Sequence, residues 1–340
     1  MIGKRGVEDS MVDGIVRERP IAEARRPRGR RIARIAATAA GWAALLAGTL
    51  GVGLHYGTWR WEPVVPATSF ASYLMLGAPV AIVMLASARR WVSAGLAVVA
   101  AGAAVWSQAP MLWPDGTAPA GPDLVVMQSN LELGGGDAEA VVREVRNGSV
   151  ELLTLEELTP ELLNRLDAAG LAEVLPYQYA AAASGGQGTG IFSRYPLQDG
   201  VKFEGFWLNN LRATMIHPER GPVTVFAFHP IPPLTWSQEW AHELSRIHDL
   251  LAEQTGQVVV GGDFNSTWDH AAYRKLLNDR YADSAELLGL GALPTWPNDR
   301  SWGPVIGIDR ILIAGGHATA LHSATIPGTD HRAIIARLRL

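Results

Sequence analysis

Hydrophobic positions follow two regimes along this chain. Between residues 35 and 114 charge is almost absent: only Arg60, Glu62, Arg89 and Arg90 interrupt the uncharged runs Ile35–Leu54, Pro63–Ala88 and Trp91–Pro114. About twenty apolar residues suffice to cross a bilayer as a helix. The pattern predicts three transmembrane helices, over about 35–54, 66–88 and 91–112. Trp42, Trp59, Trp61, Trp91, Trp106 and Trp113 lie mostly near the ends of these runs, as interfacial aromatics do. A cleaved signal peptide explains one such segment and not three. Uncharged runs of this length also argue against the buried helices of a soluble protein.

Beyond Pro114 the pattern changes. Residues 114–122 are rich in Pro and Gly and read as a linker, and after them short apolar runs alternate with helical spacing. Strands are predicted over 123–128, 150–155, 190–193, 223–228, 258–260, 308–313 and 333–338. Helices are predicted over 137–146, after the cap-like Thr159-Pro160, and over 237–254. The resulting plan has four parts: a tail (1–34), a membrane region (35–113), the linker (114–122) and a domain over 123–340. The last is long enough to bury a sizeable core.

Charge divides the chain in the same places. The tail holds ten Lys/Arg against five Asp/Glu, whereas residues 115–340 hold sixteen against twenty-seven, a formal −11. Arg25, Arg26, Arg28, Arg30, Arg31 and Arg34 stand just before the first apolar run and mark the cytoplasmic side. The Arg89-Arg90 pair falls on that side again after two crossings. A third crossing then places the C-terminal domain outside the cytoplasm. There is no cysteine, hence no disulfide or thiol chemistry.

The chemistry gathers after the predicted strands. Val258-Val-Val-Gly-Gly-Asp-Phe-Asn-Ser266 reads as a buried strand stopping at two glycines, with Asp263 and Asn265 facing one way. Asn130, Glu157, His229, Asp309 and the pair Asp330-His331 follow other apolar runs. Strand ends on one edge of a sheet can converge on one pocket. Carboxylates, carboxamides and imidazoles without thiolates suit a hard cation, Mg²⁺, Mn²⁺ or Ca²⁺, better than structural zinc. There is no Walker-type loop and no G-x-S-x-G elbow. Each residue also has a plain structural reading. Glu157 could favour a helix N-terminus. His229 could sit by chance in a rigid His-Pro-Ile-Pro-Pro loop, and Asp309 could pair with Arg310 or Arg332. Trp236, Trp240, Trp268, Trp296 and Trp302 fit core or rim better than a substrate platform.

Taken in order, V-V-M-Q-S-N130, L-L-T-L-E-E157, G-T-G-I-F-S-R-Y-P, V-F-A-F-H229-P, V-V-V-G-G-D263-F-N265-S, G-I-D309-R-I-L-I and G-T-D330-H331-R resemble the endonuclease/exonuclease/phosphatase superfamily, also called DNase I-like. The resemblance covers about residues 121–340. It implies an α+β fold, a four-layer sandwich of two packed β-sheets flanked by helices, here preceded by three transmembrane helices. It also implies metal-dependent hydrolysis of a phosphodiester or phosphomonoester. Carried over by position, Glu157 would be the main metal ligand, with Asn130 beside it and Asp330 near the metal. Glu156 stands where the family usually has Gln. Asp263 would position or deprotonate the attacking water, helped by Asn265. His331 would bind a phosphate oxygen, Asp309 would orient His331 or His229, and His229 matches the DNase I-type histidine.

A formal −11 domain offers no obvious basic groove for nucleic acid, whose non-specific binding draws on cationic contacts with phosphates. The expected partners are therefore the lipid bilayer and a phosphoester: a phospholipid headgroup, a small phosphoester or nucleic acid. The alternative function is a membrane scaffold that keeps the fold without catalysis.

Overall fold

The computed structural model describes residues 26–340 apart from 278–279. The arginine tail predicted for 1–34 thus lies mostly outside the described residues. The helical part comprises α1 (Arg26–Tyr56), α2 (Val64–Thr68), α3 (Ala71–Met75), α4 (Gly77–Ser87) and α5 (Trp91–Leu112). Among the described residues two helices, Gly29–Tyr56 and Trp91–Leu112, are long and apolar enough to cross a membrane, where three were expected. The middle segment is divided instead, and its apolar part runs only from Ala71 to Ser87. Seventeen helical residues rise about 26 Å, short of a hydrocarbon core of about 30 Å. Absence of charge in 63–70 has another cause: Val65 is buried in the hydrophobic core of the C-terminal domain. Small residues let the helices meet closely; a Cβ on Gly48 would lie 2.8 Å from Ala78 N, and one on Gly77 2.4 Å from Ala44 O.

The C-terminal domain runs β1 (Leu124–Asn130), α6 (Ala138–Gly148), β2 (Leu152–Glu156), α7 (Pro160–Ala168), α8 (Leu171–Val174), β3 (Tyr177–Ala181), β4 (Thr189–Ser193), β5 (Leu197–Lys202), β6 (Leu211–His217) and β7 (Gly221–Phe228). It continues with α9 (Pro233–Ala252), β8 (Gln257–Asp263), α10 (Ala271–Leu277), β9 (Ala282–Asp283), α11 (Ser284–Leu287), β10 (Asp309–Ala314), β11 (His317–Thr325) and β12 (Arg332–Arg339). Two six-stranded mixed sheets result, ordered β11-β12-β1-β2-β4-β3 and β5-β6-β7-β8-β10-β9. Only β1 with β2 and β7 with β8 pair in parallel. Strands buried on both faces read as unbroken apolar runs, and the two sheets pack through Leu124, Val126, Val225, Val259, Ile311 and Ile334. The outer face of the first sheet is covered by α6 and α7 through Val141, Val145 and Leu162, that of the second by α9 and α10 through Leu244, Ile247 and Tyr273. The layers are helix, sheet, sheet, helix.

The helical module is hydrogen-bonded to this domain through a buried polar junction. Asp269 accepts from Gln108 Nε2 at 2.8 Å and from Ser72 N at 3.0 Å, and His55 Nδ1 lies 2.8 Å from its Oδ1. Trp268 Nε1 donates to Ser107 O at 3.2 Å, and His270 Nε2 to Val65 O at 3.0 Å. Burial alone would raise the Asp269 pKa, but the bonds from His55, Gln108 and Ser72 outweigh it and hold the carboxyl below its usual range. At the far end of the module Arg34 Nη2 donates to Ala88 O, and Arg30, Arg31, Arg34 and Arg90 line one depression.

Candidate active site

Pairing direction explains why distant residues meet. The parallel pairs β1/β2 and β7/β8 all end at one edge, with Asn130 opposite Glu156 and Phe228 opposite Gly262. Strands β10 and β12 run the other way, so they start there: Asp309 lies opposite Asp263, and His331 immediately precedes β12. Strand β8 does not stop at Gly261-Gly262 as expected but runs on to Asp263. The glycines serve close packing, since a Cβ on Gly261 would lie 2.1 Å from Thr154 Oγ1 of the facing sheet, and one on Gly262 2.2 Å from Phe228 O.

All eight residues singled out from the sequence stand around one cleft of about 690 Å³ or in direct contact with those that line it. Asn130 Nδ2 donates to Glu157 Oε1 at 3.2 Å and to Asp263 Oδ2 at 3.0 Å, tying the two carboxylates together. Its Oδ1 accepts from Glu132 N at 3.0 Å. Asn130 therefore presents a donor to Glu157. Glu157 has a left-handed backbone (φ 56°), and its Oε2 accepts from Leu133 N at 2.6 Å. Such a conformation in a residue other than Gly is strained and is held by its surroundings. His229 Nε2 lies 4.0 Å from Glu157 Oε1 and 3.8 Å from Asp263 Oδ2. Asn265 closes a turn by donating its N–H to Asp263 Oδ1 at 2.8 Å, while its side-chain Nδ2 donates to Pro230 O.

Of the two histidines, the one beside Asp309 is His331: Nδ1 lies 2.9 Å from Asp309 Oδ2. Its Nε2 points into the cleft, 3.7 Å from both Asp263 Oδ2 and Asp330 Oδ1. The structural alternative for Asp309 is filled otherwise, because Arg310 pairs with Asp283 at 3.0 Å. Burial would lower the His331 pKa, but Asp309 and Asp263 outweigh it and raise it to about 10, so the ring is a cation at neutral pH. Burial lowers His229 to about 4, leaving that ring neutral. Burial, together with the charge of Asp309, raises Asp263 to about 7 against the pull of His331. A carboxylate with proton affinity near neutrality suits general base work.

Three supporting residues have no site role from the sequence alone, although Glu156 stands in place of a Gln and Trp296 reads as core or rim. Gln128 donates to Glu156 Oε2 at 2.8 Å and to Asp309 Oδ1 at 2.9 Å. Strand alternation offered the signal, since residues 128 and 130 share a face. Glu156 is fully buried and its pKa lies well above the usual range through burial. Burial thus favours its protonated form, and its Oε2 takes the Gln128 bond at the position where the resemblance expects Gln. Trp296 Nε1 donates to Asp330 Oδ2 at 2.8 Å, fixing that carboxylate.

Two groups of side chains compete as a cation site. Asp263, Asp309 and His331 place ligand atoms within 4.8 Å of one another. Both Asp309 oxygens, however, already accept, one from His331 and one from Gln128. That group is better described as an ion pair built around a protonated imidazole. The oxygens of Glu157 and Asp330 also accept bonds, from Asn130, Leu133 N and Trp296, but these donors are neutral and both residues line the cleft; the cationic His331 Nε2 stands 3.7 Å from Asp330, against 2.9 Å for its Nδ1 from Asp309. Glu132, Glu157, Asp263 and Asp330 line the cleft and, among the described residues, no Lys or Arg does. A pocket so charged repels a phosphoester unless a cation intervenes, and the donor set is that of a hard divalent ion.

The profile of the Endonuclease/Exonuclease/phosphatase family matches residues 127–331. Solved structures share the fold. Humanized D. rerio TDP2 aligns with 64% of this chain and 99% of its own at 17% identity and TM-score 0.55. An endonuclease/exonuclease/phosphatase from Beutenbergia cavernae aligns with 65% and 72% at 18% and 0.50. The 3′ phosphatase NExo from Neisseria, bound to a product DNA hairpin, aligns with 63% and 98% at 17% and 0.50. No curated protein sequence matches the chain. With the matched segment spanning most of the C-terminal domain and the strand ends assembled as described, the chain belongs to the endonuclease/exonuclease/phosphatase family and is a phosphoester hydrolase.

Proposed function

We propose that this is a membrane-anchored, divalent-metal-dependent phosphoesterase whose catalytic domain lies outside the cytoplasm. The observation that carries the catalytic half is a chain of contacts through Glu157, Asn130, Asp263, His331 and Asp309, with His229 and Asp330 flanking it. Glu157 and Asp330, with Asn130 at hand, would hold Mg²⁺ or Mn²⁺. Such an ion neutralises non-bridging phosphate oxygens. Asp263 takes the proton of a water held near Asn265. Protonated His331 donates from Nε2 to a phosphate oxygen, with Asp309 fixing its tautomer and charge. Neutral His229 offers a further hydrogen bond from the same wall.

The anchoring half rests on α1 and α5 and on the position of charge. The arginine-lined depression and the catalytic domain sit at opposite ends of the helical module. This supports a cytoplasmic arginine end and an extracytoplasmic site. Domain limits follow: membrane region to residue 113, linker 114–122, catalytic domain from 123.

The test uses the full chain in lipid nanodiscs with Mg²⁺ or Mn²⁺. Bis(p-nitrophenyl) phosphate, plasmid DNA, RNA, phospholipid and a phosphomonoester are compared with and without EDTA and with Asp263→Ala. Turnover that ignores both chelator and substitution refutes the mechanism. A phosphatase reporter fused after residue 120 should be active outside the cell; activity of a cytoplasmic reporter there instead reverses the orientation.

A further inference from the structure

The catalytic cleft is not built by the catalytic domain alone. Pro66 of α2, with Ser69 and Phe70 between α2 and α3, forms part of its wall. This segment belongs to the apolar N-terminal module, yet it is fixed against the catalytic domain at both sides of Phe70. His270 holds Val65 O, Asp269 holds Ser72 N, and Tyr73 Oη donates to Val305 O. The remaining walls are also largely apolar. Leu133 is 61% exposed, Leu234 is 75% exposed and Phe70 is 44% exposed, with Ile306 and Trp296 beside them. One cleft therefore has two chemistries, a charged phosphoryl-binding end and an apolar end contributed partly by the module that carries α1 and α5.

We propose that the substrate is a phosphoester carrying a hydrocarbon chain, and that Phe70 with Pro66 forms the wall against which the chain lies. The inference rests on reading the charged end as a phosphoesterase site. Two observations select this occupant over nucleic acid. Nucleic acid is tracked by Lys and Arg along its backbone, and among the described residues none lines this cleft. Large exposed apolar side chains beside a polar centre fit a molecule that is itself apolar at one end. The helices of the same module also carry exposed Leu46, Leu50, Val98 and Val99.

The experiment measures binding of ethyl, butyl, hexyl and octyl phosphonate to the full chain in nanodiscs with Mg²⁺, by calorimetry, subtracting empty nanodiscs. Inhibition of bis(p-nitrophenyl) phosphate hydrolysis is followed in parallel. A buried methylene should tighten binding by up to about fourfold. With about half of the extra methylenes of octyl lying against the wall, the octyl-to-ethyl affinity ratio should reach on the order of a hundredfold in the native chain. Phe70→Ser should reduce that ratio by roughly tenfold, and Phe70→Leu should restore most of it. A series independent of chain length overturns the proposal, as does a ratio untouched by Phe70→Ser. Displacement of the phosphonates by an oligonucleotide with steep salt dependence also overturns it. Chain-dependent binding without hydrolysis of any ester would leave this inference standing and remove the hydrolase reading. Hydrolysis with a flat series does the reverse.

Discussion

Asp269 offers the most direct test of how the helical module and the catalytic domain are joined. Its side chain accepts three bonds, from His55 Nδ1, Gln108 Nε2 and Ser72 N, at 2.8, 2.8 and 3.0 Å. Asp269→Ala removes both acceptor oxygens and all three bonds at once. His55 is buried at 2% exposure, so its donor is stranded, at a cost of about 1–3 kcal/mol. Gln108 and Ser72 are half-buried and can recruit water, at about 0.5–1 kcal/mol each. The sum is about 3 kcal/mol, smaller than the stability of a domain and comparable to that of a local unit. The expected outcome is undocking of residues 55–75, not global unfolding. Asp269→Asn should be milder, at about 1 kcal/mol, because its carbonyl oxygen still serves His55 and Gln108 while its amide faces the Ser72 N–H. Hydrogen exchange of 55–75 and protease cutting in the 57–62 loop, in nanodiscs, report the opening. Acid should mimic the substitution. The folded-state pKa of Asp269 is depressed, so its contribution is present above the unfolded value of about 3.9 and is lost as pH falls through the folded value. Equal effects of Ala and Asn, or protection unchanged by either, would refute the three-bond account.

Three further outcomes follow. Asp309→Asn removes the main charge that outweighs burial at His331, so the alkaline limb of kcat/KM, near pH 10 in the native chain, should move down by about 1–3 units; an unmoved limb refutes the pairing. Glu286 is raised to about 7 by burial and then by Asp283; with the unfolded value at about 4.3, its protonated form favours the fold and that contribution is lost as pH rises to 7. Glu286→Gln should therefore stabilise the protein at pH 8 by about 1–2 kcal/mol, discounted for partial exposure, and leave melting at pH 4 unchanged. Removing divalent ions with EDTA should abolish turnover without altering far-ultraviolet circular dichroism, since the core is formed by protein side chains alone, and Mg²⁺ should restore it.

The sequence made the interior strands legible and the edges illegible, for a physical reason. Strands β1, β2, β4, β7, β8, β10 and β12 are interior and read as apolar runs. The edge strands β3, β5 and β11 have half-exposed patterns, as in Leu197-Gln-Asp-Gly-Val-Lys202, and left no such run. Interior β6 escaped because its buried Leu211, Ala213 and Met215 alternate with Arg212 and Thr214 in a weakly apolar sequence. The candidate site was legible because each of its residues follows or precedes a readable strand. Gln128 lay within such a strand between Met127 and Ser129, marked only by sharing a face with Asn130, and Glu156, standing in place of a Gln, carried no sign that it would meet Gln128.

Hydropathy could not distinguish two uses of an uncharged segment, burial in lipid and burial against protein, and residues 63–75 illustrate the second. Val65 enters the core of the catalytic domain, Ser72 bonds its Asp269, and Phe70 faces the cleft. The same absence of charge that suggested a third span thus belongs to an adaptor between module and site. This ties the two halves of the chain together energetically. Opening the Asp269 junction should loosen the Phe70 wall, and a ligand that contacts Phe70 should in turn protect the junction. Reciprocity of that kind is required whenever two processes share one bistable element. Octyl phosphonate should accordingly slow exchange at 55–75 in the native chain more than ethyl phosphonate at equal occupancy. Equal protection by both would place Phe70 outside the bound ligand and confine binding to the charged end.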